Sequence, residues 1–356
     1  MEEKNTSVYR SIFWSVLLIG IGIIWLLGSL NLLPTPSLRL LFRLWPLALI
    51  VIGLYILIGR RSPIIGGIIG IGSIALLIAF LLLAPTRGFE PGGELKTLRF
   101  SEPLNSATSA DVTLDLERYF TTIESLSSSD MLIEAELDTV TDVIFSARGN
   151  QAKNIRLEPA DDFSLIGFDW EDLDVSDARW EIGLSPDVPM DLYVDVGSGP
   201  AALYLMRLEL TSFKIDGGSG SSTLSLPASA SEYSAVVDGG SGSFDIEIED
   251  NAKIDFSIDV DSGSFNILIG DRANIEARID GGSGSLTIDV PKDIGVRVII
   301  RDSGSGSVDL PGSYTLVDDL GEDDRDIGIW ESDGYDDALH RVEVTFDPSS
   351  GSFTLK

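Results

Sequence analysis

Residues 238–264 read DGGSGSFDIEIEDNAKIDFSIDVDSGS. An Asp-x-x-Ser-Gly-Ser turn opens the stretch and a close variant ends it. Between them Phe244, Ile246 and Ile248 alternate with polar residues, and so do Ile254, Phe256, Ile258 and Val260. Alternation with period two gives a strand one buried and one wet face, so each repeat holds two strands. The turn recurs at Asp195–Gly199, Asp216–Gly220, Asp238–Gly242, Asp259–Gly263, Asp280–Gly284, Asp302–Gly306 and Asp347–Gly351. Its central glycines stand 21, 22, 21, 21, 22 and 45 residues apart, the last step reading as two periods with one turn missing. A fixed period in this range marks a solenoid, in which each repeat buries its apolar face against its neighbours. The predicted architecture is a right-handed β-helix or flattened β-solenoid with about 21–22 residues per rung. A compact sandwich is the alternative.

The corner chemistry suits that reading. Glycine takes positive φ without a steric cost, and serine bonds nearby backbone groups. The Asp four residues before each central glycine can accept turn amides. Stacked one strand apart, roughly 4.8 Å, Asp195, Asp216, Asp238, Asp259, Asp280, Asp302 and Asp347 would repel unless bonded or bridged by cations. A turn cap is the simpler reading, and a row of weak Ca²⁺ sites the sharper one. Gly239–Asp245 nearly matches the Gly-Gly-x-Gly-x-Asp calcium motif, but its Asp falls one place late and the period is not nine.

Outside the repeats the chain is divided in character. It carries 25 Lys/Arg and 56 Asp/Glu, of which residues 1–85 hold 6 and 2, leaving 19 and 54 for the remainder, a net of −35. So acidic a domain repels nucleic acid and anionic lipid headgroups. Without cysteine, disulfides and thiolate metal sites are excluded.

Three apolar runs fill the N-terminal region, at about 12–33, 40–58 and 64–84, each near the ~20 residues of a membrane-crossing helix. The first is too long and too closely followed by others to be a cleaved signal peptide. Gly66 and Gly70 give the third a small-residue face for helix packing, within the bundle or against a membrane partner. Lys/Arg counts tie across the bilayer, but Arg60-Arg61 in the shortest loop favours the cytoplasm for that side and an extracytoplasmic C-terminal domain.

The expected organisation is a transmembrane region over 1–85, a linker over 86–96 and a β domain over 97–356. Within the last, irregular rungs occupy 97–179, regular repeats 180–312, and an acidic loop with a C-terminal cap 313–356. Trp170 in the acidic stretch 161–176 is read as an aromatic plug. The acidic loop reads as a solvated surface or, more sharply, as a docking loop for a basic partner.

Phe13-Trp14, Gly20 and Gly22, Leu26-Leu27-Gly28-Ser29-Leu30-Asn31-Leu32-Leu33 and Trp45-Pro46-Leu47 resemble the LiaI–LiaF-like transmembrane family, although many of its members have four helices. Trp180-x-Ile-x-Leu-x-Pro-x-Val-Pro-Met-Asp-Leu, the Gly-Ser-Gly turns, Leu226-Pro227, Leu310-Pro311 and Trp330-x-Ser332-x-x-Tyr335-x-x-Ala338 resemble the toast-rack domain. That resemblance implies a sensing or regulatory scaffold of envelope stress, with a membrane sensor kinase or related protein as partner. It supplies no catalytic residue and no cofactor.

The residues themselves point away from catalysis. The serines sit in turns, no phosphate-binding loop opens a helix, and His340, the single histidine, has no partner in a recognisable motif. Two non-enzymatic functions follow as expectations. One is a multi-pass membrane regulator of envelope stress. The other is a membrane-anchored structural or adhesive solenoid that binds surface polymers or self-associates.

Overall fold

The computed structural model describes residues 18–23, 26, 45–57, 63–83 and 95–356, apart from 117, 128–129, 140, 161–177, 302–303 and 322–326. Asp302 and the 161–176 stretch with Trp170 therefore lie outside the described residues. Two compact units appear, a helical one ending at Glu94 and a β one beginning at Leu95.

In the helical unit residues 18–23 and Leu26 are helical, α1 spans Trp45–Leu57 and α2 spans Pro63–Leu83. Proline suits the first turn of α2, where its missing N–H has no partner to lose. Leu49, Ile50, Leu57, Ile68 and Leu76 turn more than half their surface outward. Among the described residues no helix is long and apolar enough to cross a membrane. Although α2 runs for 21 residues without a charge, its side chains are described only over 67–79. The three expected spans thus fall partly outside what the structure describes.

Among the described residues of the β unit, 23 strands form two sheets, of 11 and 12 strands. The regular part runs β10 (Leu210–Gly217), β11 (Ser221–Leu226), β12 (Tyr233–Asp238), β13 (Ser243–Ile248), β14 (Lys253–Asp259), β15 (Ser264–Ile269), β16 (Asn274–Asp280) and β17 (Ser285–Asp289). Even strands join the larger sheet and odd strands the smaller, so each period adds one parallel strand to both. Equivalent residues stack in register, Ile254 on Ile275, Phe256 on Ala277 and Phe244 on Phe265. Their inward side chains are buried in one continuous core. The rings of Phe244 and Phe265 stack at 4.8 Å.

The central glycines are required for a reason other than the one the sequence suggests. Positive φ falls two residues earlier, at Gly197, Gly240 and Gly282, with Asp261 in the equivalent place. A Cβ on Gly263 would lie 2.5 Å from the carbonyl oxygen of Gly242, and Gly220, Gly242, Gly284, Gly306 and Gly351 each meet the carbonyl of the glycine one rung away. Close approach of neighbouring rungs therefore excludes a side chain along the whole column.

Rung order departs from chain order at both ends. β8 (Met190–Gly197) and β9 (Ala201–Tyr204) precede the regular repeats. Beyond them lies the rung of β2 (Ser109–Asp115) and β3 (Phe120–Ser125), and only then that of β6 (Ala152–Pro159) and β7 (Arg179–Leu184). Antiparallel strands close this end: β5 (Val143–Arg148) on β6, β4 (Met131–Thr139) on β7 and β1 (Lys96–Pro103) on β4. Fully buried Trp180 stacks on Tyr119 at 5.1 Å and donates Nε1–H to the Asp138 carbonyl. Buried Lys153 pairs with Glu102, tying the two sheets together.

At the other end the 45-residue glycine step is not a missing turn. β18 (Gly295–Ile300) and β19 (Ser307–Asp309) form the outer rung, extended by the antiparallel β20 (Thr315–Asp319) and β21 (Gly328–Glu331). The last rung, β22 (Arg341–Asp347) and β23 (Ser352–Leu355), is inserted one place inward, between β16/β17 and β18/β19. Strands expected in the C-terminal cap are thus interior. Val342, Val344 and Phe346 of β22 are buried like Val296, Val298 and Ile300 of β18, so the difference lies in the smaller sheet: Phe353 and Leu355 of β23 are buried, whereas in β19 only Val308 faces the core, and it is half-buried.

Candidate functional site

The outer face of the larger sheet carries the carboxylates picked out by the turn motif. Strand pairing sets Asp195 beside Asp216, Asp216 beside Asp238, Asp238 beside Asp259, Asp259 beside Asp280 and Asp280 beside Asp347. Asp115 of β2 joins the column next to Asp195. No Gly-Ser turn follows Asp115, so the motif could not reveal it.

Each Asp lies at the end of its strand or within two residues of it, which places its carboxylate over the following turn. Asp195 accepts the Gly197 amide at 3.1 Å, Asp259 that of Asp261 at 3.1 Å and Asp280 that of Gly282 at 3.3 Å. These bonds are the Asx caps expected from the sequence. Repulsion is also visible. Burial, then Asp216 and Asp259, push the Asp238 carboxyl above its ordinary pKa, against Lys214 and the Gly240 amide, which lower it. Asp259 is raised by burial above all, against the Asp261 amide, which lowers it, with smaller upward contributions from the Asp261 and Asp280 charges. Tyr193 is raised by burial and by Asp195, Asp216, Asp115 and Asp238.

A middle column, Tyr193–Lys214–Val236–Ser257–Arg278–Thr345, runs beside the aspartates. Lys214 lies over the Tyr193 ring at 5.6 Å, and Arg278 bridges Asp255 and Glu276. Together they line a shallow groove of about 460 Å³ with Asp238, Asp259, Asp280 and Asp347. Carboxylate oxygens of Asp238, Asp259 and Asp261 lie within 4.8 Å of one another, the one grouping among the described residues with metal-ligand geometry. Asp261 occupies a variable position of the repeat motif, where the neighbouring turns have glycine, and the motif does not single it out. Such a face can hold cations or a basic surface.

The remaining sequence-predicted positions separate. Gly70 is buried on α2, whereas the surroundings of Gly66 lie outside the described side chains. The tight helix approach found is that of Gly20, where a Cβ would lie 2.7 Å from Ile74 Cγ1. His340 Nδ1 is hydrogen-bonded to Asn274 Nδ2 at 3.3 Å, just before β22.

Comparison with known proteins follows the same division. The model of the LiaF transmembrane domain matches residues 13–91. The model of the N-terminal toast-rack domain matches residues 93–247. The chain is a LiaF-like membrane region followed by a toast-rack domain. A candidate cell adhesion protein from Clostridium sporogenes is similar at 15% identity and TM-score 0.36, over 74% of this chain and 99% of its own. A candidate adhesin from Bacteroides fragilis is similar at 8% identity and TM-score 0.34, again over 74% and 99%. No curated protein matches the chain. The toast-rack match ends at residue 247, yet the in-register rungs continue without a break through β13–β17.

Proposed function

We propose that the protein is a non-enzymatic, multi-pass membrane regulator of the cell-envelope stress response, with its toast-rack domain outside the cytoplasm. The observation that carries this reading is the direct succession of a LiaF transmembrane domain and a toast-rack domain on one chain. Arg60-Arg61 in the shortest loop supports the orientation by the positive-inside tendency. A rigid two-sheet stack with an acidic outer face suits a scaffold that displays a surface. The helices then contact a membrane sensor, and the domain holds the envelope-side partner.

The test has two arms. Protease added to intact cells should cut the toast-rack domain, and deletion of the chain should change an envelope-stress reporter under cell-wall challenge. Cutting only after lysis overturns the orientation. An unchanged reporter together with lost surface attachment or clumping overturns the regulatory reading in favour of an adhesive one.

A further inference from the structure

The inserted C-terminal rung occupies a slot that the structure can also close without it. Three observations meet here. First, β16 and β18 carry the same inward pattern at the same period: Ile275, Ala277 and Ile279 precede Val296, Val298 and Ile300 by 21 residues, the spacing that separates Ile254 from Ile275 in directly paired strands. Both strands lie parallel to β22 in one register, with Ile275 and Val296 flanking Val342. Second, the charges match. Arg297 faces Glu343 across the slot wall, and Glu276 stands in the same row on the far side of Glu343. Removing the rung brings Arg297 to another glutamate. Third, the glycine column is continuous. Gly351 packs on the Gly284 carbonyl and Gly306 on that of Gly351, so Gly306 is shaped to pack on Gly284.

We propose that β22/β23 (residues 341–356) act as a removable wedge: when they leave, the outer rung 295–309 closes onto 274–289 in the same register. The outer rung moves with its hairpin, because Arg297 bonds Glu331 and Val296 exchanges bonds with Ser332. Residues 332–340 pack on β18 and move with it, the Gly295 amide bonding the His340 carbonyl, so the strand pair separates after residue 340. The two states are an intercalated stack, held by the full chain, and a sequential one formed once the strand pair is displaced. A solenoid that would otherwise fray rung by rung from its tip thus gains a two-position end.

The chain has no cysteine, so engineered pairs report rung order cleanly. In register, Thr287 neighbours Thr354, and Thr354 neighbours Asp309. Thr287 and Asp309 are therefore about two strand spacings, roughly 9.6 Å, apart, beyond the reach of a disulfide. In the closed state they are one spacing apart, about 4.8 Å. The full-length protein in detergent should form a disulfide with Thr287→Cys/Thr354→Cys under diamide, and essentially none with Thr287→Cys/Asp309→Cys. Ending the chain after residue 340 should switch the second pair to near-complete cross-linking, while β12–β15 keep their hydrogen-exchange protection. A peptide of residues 341–356 added before the oxidant should suppress that cross-link. Three results would each overturn the wedge: cross-linking of the second pair in the full chain, its absence in the shortened chain, or loss of protection in β12–β15 on shortening.

Discussion

Asp238→Asn separates the two jobs assigned to the carboxylate column. Asparagine keeps the side-chain oxygen that accepts the Gly240 amide but removes the charge. The carboxylates of Asp259 and Asp261 lie within 4.8 Å. At that distance two unit charges in water repel by about 0.9 kcal/mol, and two such neighbours by about 1.7 kcal/mol. Screening at 0.15 M salt roughly halves this, so the substitution should stabilise the domain by about 1 kcal/mol at pH 7. Thermal unfolding of the purified protein should show a rise of about 2–4 °C. The pH dependence follows from the raised pKa values of Asp238 and Asp259. Between the unfolded carboxyl value and the raised folded one, the native state binds more protons, so stability falls as pH rises. The penalty is complete above the folded pKa and absent below the unfolded value of about 3.9. The gain from Asp238→Asn should therefore vanish near pH 3.5. Equal destabilisation at both pH values would refute repulsion as the dominant effect and leave the cap alone. Millimolar Ca²⁺ supplies an independent check. If the column takes divalent ions, Ca²⁺ should raise the melting temperature of the parent chain and much less that of the variant.

Other substitutions address the scaffold. Gly263→Ala places a Cβ 2.5 Å from the Gly242 carbonyl and should cost about 1–3 kcal/mol in urea unfolding, whereas Gly312→Ala, with open space around it, should stay within about 0.5 kcal/mol. Glu102→Ala leaves the buried Lys153 ammonium without its partner and should cost about 3–5 kcal/mol by urea unfolding. The double change Lys153→Met/Glu102→Leu should recover most of that loss in the same assay. Asp261 adopts φ 48° where its counterparts in neighbouring turns are glycine, so Asp261→Gly should stabilise by about 1 kcal/mol through relieved backbone strain. That gain should persist at 1 M salt, unlike the electrostatic part of the Asp238→Asn effect.

How much of this was legible beforehand depends on whether a feature is local. The two-strand period, the inward Ile/Phe/Val rows and six described members of the aspartate column follow from spacing alone, because a repeat of 21–22 residues fixes which side chains share a ladder. Asp115 was hidden because the column is defined by strand pairing, and β2 reaches it without the turn that marks the others. The glycine column was recognised for the wrong reason. A glycine needed for positive φ and one needed for close approach look identical in sequence, and here the two requirements fall on positions two residues apart.

Rung order is the deeper case. Ile275, Val296 and Val342 carry the same inward pattern, and Val342 pairs with both of the others in one register. Periodicity therefore specifies the ladder but not the sequence of its rungs. The difference between the two rungs lies in the smaller sheet. Val296, Val298 and Ile300 of β18 are buried like Val342, Val344 and Phe346 of β22, but Phe353 and Leu355 of β23 would lose more at a tip than the half-buried Val308 of β19, at roughly 1.5–3 kcal/mol for each side chain fully exposed. An enclosed rung also appears at the N-terminal end, where β2/β3 lies inside β6/β7, whose own Ile155, Leu157, Trp180 and Ile182 are buried beneath the antiparallel β5 and β4. At each end the rung nearest the terminus in sequence is interior in space. In a stack built this way the first and last rungs leave only by displacing the neighbour outside them, which opposes the stepwise fraying expected of a sequential solenoid.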